Sequence, residues 1–215
     1  MAAKIEQELS RYNQFTDSST LPPAPAYQAA ATSQWFHIYR ESITDRNAFV
    51  KHQDKNEVKF YVEFHYRSIA NIGSQFSRLT YRRFEFNFYW LDKNGPKAFT
   101  IKPILQKTNL LTDLLITDFS TGKEIIINRG SIFGRKYLWE IDGIQYQWKG
   151  ALFNTNLELT QLPEKKVVAV YHRAARFSFK KEGKLEVKPE YNSNCNLIIA
   201  TAFAAELWED GDNVE

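Results

Sequence analysis

CNLIIATAFAAELW, Cys195 to Trp208, is apolar on every side when wound as a helix. Its interior polar residues are Asn196, Thr201 and Glu206, too few to make a wet face. A helix of that kind must be enclosed by protein or lipid. Its fourteen residues fall short of the ~20 that cross a bilayer. The roughly 140 residues upstream read almost entirely as strands and tight turns. The segment therefore reads as a helix taken into a β-structure, starting near Asn192 or Ser193, where side chains suited to N-caps cluster.

The strands announce themselves by alternation. Val58, Phe60, Val62, Phe64 and Tyr66 form one apolar stripe, and Phe84, Phe86, Phe88 and Trp90 form another. A two-residue turn at Asn94-Gly95 would set Trp90 opposite Phe99 and Phe88 opposite Ile101. A two-residue turn at Asp142-Gly143 pairs Ile141 with Ile144, Trp139 with Tyr146 and Tyr137 with Trp148. The other face then pairs Glu140 with Gln145, Leu138 with Gln147 and Lys136 with Lys149. A one-residue slip would destroy that separation of faces. Lys181-Glu182-Gly183 suits a three-residue loop with Gly183 left-handed, placing Phe179 opposite Leu185 and Phe177 opposite Val187. Further strands are expected near 35–40, 47–52, 111–119, 123–129, 156–162 and 166–172, about twelve in all.

Antiparallel strands with short connections build a sandwich or a barrel. A sandwich core is ~10 Å thick and already filled by its own side chains. It has no room for a helix ~10–12 Å wide. A closed antiparallel β-barrel of about twelve strands has an interior wide enough to need a plug. The expected fold is therefore mainly β, a barrel enclosing the C-terminal helix. Residues 35–208 form the barrel with its central helix at 192–208. Residues 1–34 form an arm, with a short helix at 3–14 and a Pro-, Ser- and Ala-rich linker, and 209–215 form an acidic tail.

Aromatic residues at 15% favour strands. The single cysteine, Cys195, excludes an intramolecular disulfide and suits a reducing compartment. The N-terminus shows neither a secretory h-region nor a lipid-anchor motif, so a cytoplasmic protein, peripheral at membranes, is expected. The net charge of +3 hides an asymmetry: the last ten residues carry −5 and residues 1–34 carry −1. The stretch 35–205 therefore stands at +9, with 26 basic against 17 acidic side chains. Such a body is drawn to polyanions or anionic membranes.

LTDLLITDFSTGKEIIINRGSIFGRKYLWEIDGIQYQWKG (111–150) runs from strand and tight turn through an apolar strand and a basic bend to an aromatic hairpin. It resembles the repeated theme of the tubby C-terminal-like superfamily, which holds the tubby, LURP-one-related and phospholipid scramblase barrels. Residues 167–208 look similar to that group's closing strands and central helix. Within them, VVAVYHRAARFSFKKEGKLEV looks like small fungal members. The resemblance covers roughly 35–208 and implies phosphoinositide or membrane binding in some relatives and an adaptor role in others. It carries over no binding residue. The Cys-rich and Pro-rich regions that precede scramblase barrels have no counterpart here, which speaks against scrambling.

The basic bend is the best candidate for binding anionic phospholipid headgroups. Arg129, Arg135, Lys136 and Lys149 lie close in sequence or across the Asp142-Gly143 hairpin, and Arg82 is a further candidate. Lysines opposed across strands repel, and a phosphate between them gains charge-assisted hydrogen bonds. The plainer alternative is two flexible lysines splaying into water. Nucleic acid is disfavoured because the aromatics alternate into faces that look buried rather than forming an open stacking platform. No cofactor or metal is expected: the four histidines show no metal-ligand spacing. Ser120-Thr121-Gly122-Lys123 echoes a phosphate loop but reads as a hairpin turn. Cys195 reads as a buried thiol. An enzyme is not expected. Two other uses of a barrel remain, a protein-binding adaptor and an apolar-ligand carrier of lipocalin type. The carrier requires the helix to lie outside the lumen.

Overall fold

The computed structural model describes residues 32–41, 47–53, 57–68, 82–104, 113–130, 136–150, 156–173 and 181–211. The expected helix at 3–14, most of the linker, and residues 212–215 of the acidic tail lie outside them. Twelve strands follow one another: β1 (Gln34–Arg40), β2 (Ala48–His52), β3 (Val58–Ser68), β4 (Arg82–Trp90), β5 (Lys97–Ile104), β6 (Asp113–Asp118), β7 (Glu124–Arg129), β8 (Lys136–Ile141), β9 (Ile144–Gly150), β10 (Leu157–Gln161), β11 (Lys166–Arg173) and β12 (Lys181–Val187). Each pairs antiparallel with its neighbours in sequence, and β12 pairs with β1 to close the barrel. A 3₁₀ turn, Pro189–Asn194, then leads into α1 (Cys195–Gly211), the single α-helix among the described residues.

The helix lies inside. Every residue from Leu197 to Ala205 is buried, so every face of its central turns is covered. Its contacts come from all round the wall. Phe203 packs edge-on against Phe88 of β4 at 5.1 Å. Thr201 accepts a hydrogen bond from the Trp148 indole of β9 at 3.0 Å. Glu206 accepts one from Arg173 Nε of β11 at 2.9 Å. Thr201 also donates to the Ile198 carbonyl, and Asn196 accepts from the Cys195 thiol. Each of the three polar residues that interrupt the apolar run thus has a partner, as burial requires. Fully burying Leu197, Ile198, Ile199 and Phe203 contributes on the order of 6–12 kcal/mol. That equals much of the ~5–15 kcal/mol net stability of a whole domain. The helix fills the lumen that a ligand carrier would need. A cavity of about 10 Å³ among Ile38, Tyr171, Ala202, Phe203 and Glu206 has room for one water.

The Asp142-Gly143 hairpin forms in the expected register at all six pairs, from Ile141–Ile144 to Lys136–Lys149. Both turn residues have positive φ, 52° and 77°, the type I′ geometry whose twist matches the strands. Ser120 lies in a turn whose donors are collected by Asp118 Oδ1, consistent with a hairpin rather than a phosphate loop.

Two expected registers are corrected. Phe88 pairs with Phe99 and Phe86 with Ile101, two residues away from the Asn94-Gly95 expectation. The connection is a wider loop: Trp90 N–H bonds to the Pro96 carbonyl, while Asp92 Oδ1 accepts the Asn94 N–H. That local Asx turn holds the chain open and shifts the register by two, so the same residues still face inward. Gly183 is not in a loop. It lies within β12 opposite Ile38 and Arg173, and Leu185 faces Tyr171 and Phe36 rather than Phe179. The expected partners Phe177 and Phe179 lie outside the described residues. A Cβ at Gly183 would come within 2.7 Å of the Tyr171 ring and of the His172 carbonyl. The glycine marks a close approach between strands rather than a turn. The helix also differs at its edges, becoming α at Cys195 and running to Gly211.

Gly183→Ala should cost about 1–3 kcal/mol through that overlap, read as a lower urea midpoint at unchanged m-value. An unchanged midpoint would show that Tyr171 moves aside freely.

Candidate functional site

Alternation fixes which basic side chains share a surface. Arg129 has the parity of Ile125 and Ile127 and lies opposite buried Tyr137, so it faces the interior of the wall, half-buried. Lys136 and Lys149 lie directly opposite each other on the exposed outer face, as expected. The structure therefore separates Arg129 from the two lysines. On its other side Lys149 is opposite Glu158 of β10, so the outward row reads Lys136, Lys149, Glu158 and its charge is partly offset. Arg82 begins β4 opposite Ser68, and its side chain is outside the described residues, as is Arg135 altogether.

A denser row lies across the closure of the barrel. His172 of β11 is opposite Lys184 of β12, Lys184 is opposite His37 of β1, and His37 is opposite Lys51 of β2. Four basic side chains thus stand in register across four strands, all half-buried on the outer face. Aromatic rings support them. Trp35 stacks on His172 at 5.7 Å between ring centres, and Tyr39 stacks on His37 at 5.9 Å. The Lys184 ammonium lies 6.0 Å above the Trp35 ring and that of Lys51 lies 5.9 Å above Tyr39. Such contacts hold a lysine head near the wall while leaving its charge in place. His37 Nε2 is 3.2 Å from Gln53 Oε1. His172 Nε2 is buried with no hydrogen-bond partner among the described residues.

Glu186 is the acid beside this row, opposite Trp35 and Val170. It accepts hydrogen bonds from Lys188 and from Ser33. Burial pushes its carboxyl up. The hydrogen bonds from Lys188 and Ser33, with the charges of Lys188 and His172, outweigh burial and hold it below the ordinary carboxylate value. Its charge is thus matched locally by Lys188. Further round, the outward row Tyr39, Phe49, Tyr61, Tyr89 crosses β1 to β4. There the tyrosine hydroxyls donate to carboxylates: Tyr61 to Glu41 at 2.9 Å and Tyr89 to Glu63 at 3.2 Å. The outer wall therefore changes from a row of bases on β11–β12–β1–β2 to a row of aromatic rings bonded to carboxylates on β3–β4.

Sequence reasoning missed the four-base row. Each strand shows only one of these bases on its outward side, and the pairing of β12 with β1 joins opposite ends of the chain.

Cys195 is buried inside the mouth where the helix enters. Its thiol accepts a contact from Lys59 Nζ at 3.4 Å, and the same ammonium lies 5.2 Å above the Phe36 ring. Among the described residues no group of three or more His, Cys, Asp or Glu side chains could hold a metal ion.

No family model matches the sequence, and the curated proteins hold no match to it. Among solved structures, the chain is similar to the X-ray structure of an Arabidopsis thaliana protein, AT5G01750. The two are 12% identical with a TM-score of 0.47 over 81% of this chain and 93% of that one. No helix among the described residues is long and apolar enough to cross a membrane.

A carboxylate held low in the folded state adds stability above its unfolded value, and that stability is lost as pH falls through the folded value. Glu186→Gln should therefore lower the urea midpoint at neutral pH, and its gap from the parent should close as pH drops below 4.5. A gap that stays constant down to about pH 3 would contradict that linkage.

Proposed function

We propose that this barrel is a binding protein, not an enzyme, and that it docks on anionic phospholipid surfaces through the outer wall of β11, β12, β1 and β2. The proposal rests on the four in-register bases His172, Lys184, His37 and Lys51. Lys184 stands directly opposite both His172 and His37, and Lys51 opposite His37, so once the imidazoles are protonated three like-charge contacts, which are costly across strands, follow one another. An anionic surface relieves all of them at once. Trp35 and Tyr39 lie among the bases. Both have an apolar body and a polar tip, which suits the boundary between headgroups and acyl chains. Each lysine near an anionic leaflet adds about 1 kcal/mol, so a patch of this size gives reversible, salt-sensitive association rather than stable anchoring. A twelve-strand barrel filled by an apolar helix supports the tubby-like affiliation as part of this reading, and with it a headgroup-binding role. The Lys136–Lys149 pair takes second place, because Glu158 sits in the same row.

Co-sedimentation with phosphatidylcholine vesicles, with and without phosphatidylserine or phosphoinositide, tests the proposal. The chain should sediment with the anionic vesicles at low salt and less at physiological salt. Lys51→Glu with Lys184→Glu should weaken this about tenfold or more, and Lys136→Glu with Lys149→Glu should weaken it less. No sedimentation at either salt would remove the membrane reading and favour a protein partner. A loss confined to the second pair would move the site to β8 and β9.

A further inference from the structure

Two of the four bases in the row are imidazoles, the side chain whose charge ordinarily changes between about pH 5 and 8. They flank Lys184 directly, His37 on one side and His172 on the other. With neutral rings the row carries the charges of Lys184 and Lys51. With both rings protonated it carries four positive charges in register. We infer that His37 and His172 make the contact with anionic phospholipid proton-dependent, so that it tightens as pH falls. The inference rests on the docking reading above and names the regulation of the same surface.

The groups around each ring are of both signs. His37 faces Lys184 and Glu186 of β12 and Lys51 of β2, with Gln53 on its Nε2. His172 faces Lys184 and Glu186 of β12, the Trp35 ring of β1, and on the diagonal Glu158 of β10. Glu186 stays ionised below the ordinary carboxylate value because Lys188 and Ser33 hold it. Its charge is therefore constant while the imidazoles titrate. Proton and membrane then reinforce each other: an anionic surface on the row stabilises the charged rings, and the charged rings strengthen the contact. The other two histidines stand apart from the row. His52 packs edge-on against Phe36, and His65 is bonded to Glu63.

Vesicle binding of the full chain, with phosphatidylcholine and phosphatidylserine at constant ionic strength, reads this out. Between about pH 7.5 and pH 5.5 the affinity should rise about tenfold. His37→Gln with His172→Gln should keep the binding seen at the higher pH and lose the rise. Parent binding equal at both pH values, or a double variant that keeps the full rise, would overturn the gating and leave the docking reading intact. No binding at either pH would overturn both. Should the double variant misfold, the ring resonances of His37 and His172 in the parent give the same answer. Their titration midpoints should move up when anionic vesicles are added, and midpoints that stay put would overturn the inference.

Discussion

The enclosure of α1 is the constraint on which the rest of the structure depends. A helix buried on every face from Leu197 to Ala205 has no surface left for solvent, so the wall must surround it. That requirement sets the strand number. Eight strands leave an interior just wide enough for their own side chains, and a helix needs a wider ring. It also sets the pairing, because a sheet that surrounds a helix must join its first and last strands. The inward stripe of each strand then packs on helix or neighbour, as Phe88 does on both Phe203 and Phe99. The wall is irregular where it bends. Register shifts interrupt the β1–β12, β2–β3, β4–β5 and β10–β11 pairs, and bulges of this kind increase local twist and bend.

Closure also produces the surface with the most distinctive chemistry. The consecutive strands β11 and β12 pair His172 with Lys184, and joining β12 to β1 adds His37 from the other end of the chain. Glu186, one row away, is held ionised against its burial by hydrogen bonds from Lys188 and Ser33 and by the charges of Lys188 and His172. The adjoining wall of β8 to β10 mixes signs, as in Lys136, Lys149 and Glu158. The basic and aromatic row is thus a product of the closure, while the helix stays committed to the core.

Much of the fold was legible because local chemistry and alternation agreed. The Asp142-Gly143 hairpin allows one register that keeps aromatic and polar faces apart, and that register forms. The helix was legible because its apolar residues leave no solvent face. The errors arose where a residue answers to a distant neighbour or to a competing local bond. Gly183 looks like a turn residue until Tyr171 is known to lie across it. Asn94-Gly95 looks like a tight hairpin until Asp92 takes the Asn94 amide. Of the candidate site, the opposition of Lys136 and Lys149 followed from one hairpin. The inward direction of Arg129 followed from the β7 stripe, but proximity in sequence had grouped it with the lysines. The four-base row was hidden because its register is set by the closing strand pair, for which no loop in the sequence supplies a length.

Native-state hydrogen exchange tests the enclosed helix most directly. Amides that open only when the whole domain unfolds report the global stability, whereas a helix that undocks by itself exchanges at lower cost. The amides of Ile198 to Ala205 should exchange with the same opening free energy as the most protected wall strands, and with the same dependence on denaturant. Exchange through a smaller, denaturant-insensitive opening would contradict the account, because it would mean that the barrel stands closed without its helix.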